Sequence, residues 1–254
     1  MTEAAVPPAL HLPARDIPIP ASVSARARAI LAAPRPQMPP EPPVGDAPAW
    51  RQRAAMINAA MLPAMKARAA MVDAEVRDLV VEGVTVYEIV PAGVREDDPR
   101  IYMDIHGGAY IVGYGDACRA QATGVAGDLQ CRVWSVDYRT PPDHRYPAPL
   151  DDCVAVYRAL VARCGADRIV VGGTSAGANL TAATILRARD EGLPLPAGAV
   201  LHTPHLDMTN ASDSLRTNDG LDAVLSGSDM TTLRDVYAGA ADIRAPYLSP
   251  LLAD

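Results

Sequence analysis

The feature that most constrains the fold is a junction between a strand and a helix around residue 175. Residues 168–172, Arg-Ile-Val-Val-Gly, have the short apolar pattern of a buried strand, and a helix rich in small residues starts at Ala176. Between them lies the run 173–177, Gly-Thr-Ser-Ala-Gly, with small residues two places before and after the serine. Small residues there allow strand and helix to approach closely. The pattern therefore predicts a sharp, strained turn that exposes Ser175 above the end of a sheet.

Short apolar runs alternate with helical patterns from residue 80 onward. The predicted strands are 84–90, 101–105, 131–138, 168–172 and 197–202, and the predicted helices are 119–129, 151–164 and 176–191. Before residue 80 the patterns predict only helices, at about 22–32 and 47–74. Buried strands separated by helices predict an α/β fold, with a mostly parallel sheet covered by helices on both faces.

The chain divides into two parts by composition. Residues 1–75 are predicted to form an N-terminal helical cap, and residues 76–254 an α/β core. Within the core, residues 206–245 are more polar and irregular, and we expect them to form a second cap segment over the same end of the sheet.

Composition excludes several classes of function. The net charge is −7 and no run of basic residues suggests a phosphate-binding groove, so nucleic acid is not an expected partner. No apolar stretch is long enough for a membrane span, and the Pro-rich N-terminus lacks the apolar core of a signal peptide. The four cysteines are scattered without metal-binding spacing, which favours reduced thiols and a cytoplasmic location. No metal or organic cofactor is expected, and a homodimer is left open.

Ser175 is the candidate catalytic residue. In the predicted turn, the first N–H groups of the following helix point their partial positive charge at the serine, and the Ala176 N–H faces a developing oxyanion. This arrangement is typical of a serine nucleophile that attacks a carbonyl carbon. The alternative is a Gly-rich turn that holds a serine without a chemical role.

A second loop lies about seventy residues upstream, at the end of the predicted strand 101–105. There His106 is followed by Gly107, Gly108 and Ala109. A glycine pair at this position lets backbone N–H groups turn toward an anion, and an alanine can still donate its own N–H. We therefore predict that Gly107, Gly108, Ala109 and Ala176 form an oxyanion hole, although the two glycines alone would also fit a tight turn.

These motifs resemble those of the bacterial hormone-sensitive-lipase-like esterases, which carry an HGGG-type loop and a G-[DT]-S-A-G turn. Residues 137–152, 212–218 and 247–251 are also similar to segments of that family. The resemblance covers residues 80–254 and implies an α/β-hydrolase fold. It implies a serine carboxylesterase that acts on a small-molecule acyl ester of short to medium chain length.

The sequence lacks an acid and a histidine that could activate the serine. Only two histidines, His202 and His205, follow Ser175 in the sequence. The acidic residues between Ser175 and His205 are Asp190 and Glu191, which lie roughly 22 Å from Ser175 along a continuous helix. In the family, two further strands after the counterpart of residues 247–251 carry the catalytic Asp and His. The resemblance therefore implies that the last strands are missing and that a longer parent chain supplies both residues.

Two further residues are candidates for substrate contact. Tyr110 directly follows the predicted oxyanion loop, and His205 follows the predicted strand 197–202. His205 could also replace the missing base, or it could be a polar loop residue without a chemical role. Two other functions stay open, namely an amidase with the same nucleophile and a non-catalytic small-molecule-binding protein of the same fold.

Overall fold

The structure is a computed structural model that describes residues 18–33, 40–218 and 227–254. Residues 1–17 of the predicted N-terminal cap and residues 219–226 of the predicted second cap segment lie outside the described residues. The helices are α1 (Ala25–Ala32), α2 (Ala47–Ala69), α3 (Asp116–Leu129), α4 (Ala148–Cys164), α5 (Ala176–Asp190), α6 (Ser214–Thr217) and α7 (Gly227–Ala238). The strands are β1 (Ala74–Val81), β2 (Val84–Pro91), β3 (Ile101–Ile105), β4 (Arg132–Asp137), β5 (Ile169–Thr174) and β6 (Gly198–His202). Within those residues, no helix has the length and apolar character to span a membrane.

The strands form one sheet in the order β1-β2-β4-β3-β5-β6. Strands β4, β3, β5 and β6 are parallel, whereas β1 and β2 run antiparallel to their neighbours. Parallel neighbours end at the same edge, so the loops after β3 and β5 lie side by side there. The mostly parallel sheet that the sequence predicts is therefore confirmed.

Strand β1 is missing from the sequence prediction, which continued a helix to residue 74. In the structure α2 ends at Ala69 and β1 begins at Ala74. This edge strand is partly or fully exposed along its length and carries Glu75, Arg77 and Asp78. Because an edge strand needs only one weakly apolar face, its pattern lacks the continuous apolar run of a central strand.

Helices cover both faces of the sheet. One face packs against α4 and α5 in a large core that includes Met103, Leu150, Val171 and Leu180. The other face packs against α3 through residues that include Ile89, Cys118, Ala122 and Val133. These layers hold the central strands rigidly, which fixes the loops at their carboxyl ends.

Helix α2 lies beside the loop that follows β3. Trp50 and Ala54 are its buried residues, and they cluster with Ile111, Val112 and Val236. Ile57 packs against the same cluster, whereas Met61, one turn further along the helix, is 38 % exposed. Pro63 lies inside the helix without ending it.

Strand β6 forms an open edge of the sheet among the described residues. Its other side pairs with β5, and four of its five residues are exposed, including Val200 at 47 % and Leu201 at 38 %. Apolar side chains and unpaired backbone groups at the edge of a sheet favour pairing with another strand.

Asp104 is a buried carboxyl group in the middle of the sheet. Its hydrogen-bond partner is the Ser135 hydroxyl, which donates to Asp104 Oδ2 at 2.8 Å. Burial raises its pKa from 3.8 to about 6, and the Ser135 hydrogen bond only partly opposes this shift. A raised pKa means that the folded protein holds this proton more tightly than the unfolded chain does.

Asp104→Asn is expected to remove a pH-dependent loss of stability. The folded wild type loses free energy of unfolding as the pH rises from about 4 to about 6, because the buried group must ionise in that window. The variant has no such group, so its stability relative to wild type should rise by ~2 kcal/mol over the window. Urea unfolding of both proteins at several pH values measures this difference. A difference that stays constant with pH would contradict the assignment.

Candidate active site

Ser175 occupies the junction between β5 and α5, where the sequence placed it. Its backbone angles are φ 57° and ψ −117°, an unusual conformation for a residue with a side chain. The serine N–H donates to the His202 carbonyl on β6 at 2.9 Å, which fixes the turn. Ser175 stands at the N-cap of α5, but its side chain makes no capping hydrogen bond. Its hydroxyl is therefore not used to hold the helix.

The turn depends on two glycines that flank it. A Cβ on Gly173 would lie 2.5 Å from the backbone of Gly177, and a Cβ on Gly177 would lie 1.9 Å from the Ile105 carbonyl oxygen. Strand β5, helix α5 and the end of β3 thus approach more closely than any side chain permits. This contact explains why glycines stand two places before and two places after Ser175 in the sequence.

The loop after β3 touches the serine turn. A Cβ on Gly107 would lie 2.7 Å from the Thr174 carbonyl oxygen and 3.6 Å from the Ser175 Cβ. Gly108 has φ 118° and accepts hydrogen bonds at its carbonyl from Ile111 and Val112, each at 3.0 Å. The structure therefore brings together the two loops that the sequence predicted to meet.

Three backbone N–H groups are available at this contact. Those of Gly108, Ala109 and Ala176 donate to no other residue in the described part of the chain. Ala176 is the first residue of α5, whose initial N–H groups have no acceptor within the helix. Together with the positive end of the helix dipole, such groups suit an anionic oxygen. These three residues and Gly107 form the predicted oxyanion hole, which stays a prediction, and Gly107 supplies the close approach to the serine turn.

His106 lies buried beneath the loop. Its Nδ1 donates to the Gly107 carbonyl at 2.8 Å, and its ring stacks on Tyr138 with centroids 4.1 Å apart. Burial lowers the pKa of His106, so the imidazole is neutral near pH 7. The Tyr138 hydroxyl also donates to the His106 carbonyl at 3.0 Å. These contacts show that His106 supports the shape of the loop.

One group of side chains near His106 has the composition of a metal site. Ligand atoms of His106, Cys118 and Asp137 lie within 4.8 Å of one another. However, the Cys118 sulfur already lies 3.3 Å from the Ser135 hydroxyl oxygen, and its thiol donates to the Val136 carbonyl at 3.9 Å. Both Asp137 oxygens already accept hydrogen bonds, from the Tyr87 hydroxyl and the Gly115 N–H. These contacts explain the group as a hydrogen-bonded support for the loop.

The two candidate substrate contacts lie in different environments. The Tyr110 side chain is 3 % exposed and stacks on Tyr237, so its ring belongs to the core beneath the loop. His205 is half-buried, and its Nε2 is 2.9 Å from the Asn210 side-chain oxygen. Within the described residues, no histidine forms a hydrogen bond with the Ser175 hydroxyl.

A cavity of about 140 Å³ adjoins the oxyanion loop. It lies between α2, the loop and α7, and its lining includes Trp50, Ile57, Gly108, Ala109 and Leu233. Most of these side chains are apolar, so the cavity suits an uncharged chain of carbon atoms.

Sequence patterns missed the contacts that tie α2 to the site. The Asn58 side-chain oxygen accepts a hydrogen bond from the Gly113 N–H at 2.7 Å. A Cβ on Gly113 would lie 2.7 Å from His106 Nδ1, which explains the glycine. The partners are 55 residues apart in the sequence, so no local pattern could have paired them.

Residues 102–254 match the family model of the α/β-hydrolase fold. This range contains both loops of the site and five of the seven helices of the described chain. The predicted fold class is therefore confirmed.

The relatives found by sequence are esterases and acetyl-hydrolases. An acetyl-hydrolase of Streptomyces hygroscopicus is 33 % identical over 174 residues, which cover 67 % of this chain and 58 % of that protein. An esterase of Acinetobacter venetianus is 37 % identical over 151 residues, covering 56 % of this chain and 50 % of that protein. This chain thus spans between half and three fifths of the length of these curated relatives.

Solved structures of esterases share the fold. Esterase E25 superposes with a TM-score of 0.85 at 30 % identity, covering 97 % of this chain and 77 % of that one. An esterase from the bacterial hormone-sensitive lipase family superposes with a TM-score of 0.71 at 31 % identity, covering 90 % of this chain and 72 % of that one. These likenesses agree with the resemblance on which the sequence prediction rested.

Proposed function

The chain belongs to the family of proteins with the α/β-hydrolase fold, and we propose that it is a serine carboxylesterase for acyl esters of short to medium chain length. The observation that carries the proposal is the contact between Gly107 and the strained turn of Ser175. Gly108 and Ala109, which follow Gly107, and Ala176, which follows Ser175, have N–H groups without an acceptor among the described residues. Acyl transfer needs such donors next to a serine hydroxyl, which supports the proposal.

The proposed reaction has two halves. The Ser175 oxygen attacks the ester carbonyl carbon while a histidine takes the serine proton, and the N–H groups of Gly108, Ala109 and Ala176 hold the resulting oxyanion. When the tetrahedral intermediate collapses, the C–O bond to the alcohol breaks and the histidine gives its proton to that alcohol. Water then attacks the acyl-enzyme in the same way and releases the acid and free Ser175.

We further propose that a longer parent chain supplies the acid and the histidine, from residues after Asp254. Helix α5 is continuous to Asp190, whose carboxylate accepts a hydrogen bond from the Tyr247 hydroxyl at the far end from Ser175. The open edge of β6 can pair with a further strand, and a loop after such a strand would lie beside the serine. The esterase relatives also have more residues than this chain matches.

Completing the chain tests this proposal. A chimera joins residues 1–254 to the segment that follows the counterpart of residues 247–251 in an esterase relative. We expect the chimera to hydrolyse para-nitrophenyl butyrate at least about 10³-fold faster than the 254-residue chain, because a site without its triad retains only oxyanion and binding effects. If the 26.7 kDa chain alone turns over as fast as the chimera, the acid and histidine lie within it and this part of the proposal is wrong.

The cavity beside Ala109 predicts a limit on acyl chain length. An apolar cavity of about 150 Å³ holds one benzene ring, so 140 Å³ suits an acyl chain of up to about six carbon atoms. In the chimera, kcat/KM for para-nitrophenyl esters should fall steeply between hexanoate and decanoate. Ile57→Ala should enlarge the cavity and move this fall to longer chains, whereas Val200→Ala, on β6 and outside the lining of the cavity, should not. If the chimera with the wild-type cavity prefers the decanoate ester, the acyl chain does not bind in this cavity.

A further inference from the structure

Helix α7 contacts the loop directly after the proposed oxyanion donors. The ring of Tyr237 stacks on that of Tyr110, with centroids 3.9 Å apart and planes only 2° from parallel. Tyr237 is fully buried, and Tyr146 meets its ring edge at 6.1 Å and 83°. The Tyr146 N–H also donates to the Tyr237 carbonyl at 2.9 Å. The end of α7 is therefore fixed against the core by both its ring and its backbone.

A second set of contacts holds the same loop from α7. Val236 is fully buried in a cluster with Ile111, Val112 and Trp50, and Leu233 packs against this cluster. Consecutive residues of α7 therefore contact three consecutive residues of the loop, 110–112. Helix α7 acts on the loop as one rigid element.

The loop needs such support because its backbone is strained. Ala109 has φ 52° and Tyr110 has φ 67°, both in the left-handed region that residues with side chains rarely adopt. Such conformations are unfavourable and persist only where the surrounding packing fixes them. Relaxation of Tyr110 to a negative φ would shift the backbone on either side of it, and with it the N–H groups of Gly108 and Ala109 that are proposed to hold the oxyanion.

We propose that Tyr237 is a positioning residue for the oxyanion hole, acting through the ring of Tyr110. This inference rests on the proposed function, since it assigns a role to N–H groups that the proposal places on the oxyanion. The ring face, and not the hydroxyl, makes the contact: both hydroxyls are buried and have no hydrogen-bond partner among the described residues. A phenylalanine at position 237 would therefore retain the function.

Three variants separate positioning from stability. Tyr237→Leu removes the stacked ring, and Tyr237→Phe keeps it without the hydroxyl. Tyr157→Leu is the matched control, because Tyr157 is also fully buried in the same core but donates its hydroxyl to the Pro194 carbonyl, away from the loop. Urea unfolding gives the stability of each variant, so reactivity can be compared between proteins that are equally folded.

Two measurements are made, the first on the 254-residue chain and the second on the C-terminally completed chimera. The first is the Gly108 amide resonance in spectra of protein labelled with ¹⁵N-glycine, which reports the loop without any catalysis. The second is the rate constant for phosphonylation of Ser175 by a fluorophosphonate. For Tyr237→Leu we expect a shifted or broadened Gly108 resonance and a rate lowered by about 10- to 100-fold, the range for a displaced oxyanion donor. Tyr237→Phe should restore both readouts, and Tyr157→Leu should leave both at wild-type values.

The outcomes decide two questions separately. If Tyr237→Leu keeps the wild-type resonance and rate, or if Tyr157→Leu causes the same changes, Tyr237 does not position the loop. If Ser175 in the folded wild-type chimera does not react at all, the proposed function fails, and the Gly108 resonance alone then decides whether Tyr237 holds the loop.

Discussion

Replacing Gly177 by alanine is expected to prevent the serine turn from forming. The new Cβ would lie 1.9 Å from the Ile105 carbonyl oxygen and 2.5 Å from that of His106, and both oxygens belong to backbone that cannot rotate away. Helix α5 would have to move off β3 and carry Ser175 with it. We expect a loss of more than about 4 kcal/mol in the free energy of unfolding, a size reserved for severe steric or burial defects.

Gly124→Ala is the matched control for this prediction. Gly124 also lies in a helix, but its nearest neighbour is the flexible side chain of Arg68, at 2.9 Å. Alanine favours helix by about 1 kcal/mol over glycine, so this variant should remain within about 1 kcal/mol of wild type. Circular dichroism during urea unfolding measures both. A Gly177→Ala protein as stable as Gly124→Ala would contradict the close approach of α5 and β3.

Arg132→Met is expected to cause the second large loss of stability. Arg132 and Glu88 are both buried and form an ion pair at 3.0 Å between β4 and β2. Burial raises the pKa of Glu88, but hydrogen bonds from Trp134 and Arg132 outweigh it, so the net shift is downward and the carboxylate is charged. Removing the cation would leave that charge buried, which costs about 3–5 kcal/mol in comparable cases.

Two further variants show whether the buried charge causes this loss. Arg77→Met removes a second arginine, 3.8 Å from the same carboxylate but 53 % exposed, and should cost no more than about 1 kcal/mol. The double variant Arg132→Met/Glu88→Leu removes both buried charges and should be more stable than Arg132→Met alone. Equal losses for Arg132→Met and Arg77→Met in urea unfolding would contradict the account.

The central sheet and the serine turn could be predicted because their causes are local. The run around Ser175 requires glycines at fixed places, and the structure shows the backbone contacts that make them necessary. Strand β3 was predicted with its observed bounds, since a buried parallel strand is a continuous apolar run. The position of the loop after β3 followed from the same reasoning, because the strand before it fixes its backbone, and its role as an oxyanion hole stays a prediction.

Other features could not be predicted because they depend on contacts between distant segments. The ring of Tyr110 faces Tyr237, which lies half of the chain's length away in the sequence, and nothing near either residue indicates the pairing. The half-exposed β1 and the tie between Asn58 and Gly113 have the same origin. A local sequence pattern indicates which face of a helix or strand is apolar, but it does not indicate which distant residues pack against that face.

The most direct test of the central claim is to identify the residue that an organophosphate modifies. The C-terminally completed chimera is treated with diethyl para-nitrophenyl phosphate, and the adduct is located by peptide mass spectrometry. We predict one phosphoryl group, on Ser175, with no adduct in Ser175→Ala. Labelling should be undiminished in Ser212→Ala, which changes an exposed serine that bonds only to Ser214 among the described residues. A folded chimera that stays unmodified, or that carries its adduct on another residue, would show that Ser175 is not the nucleophile.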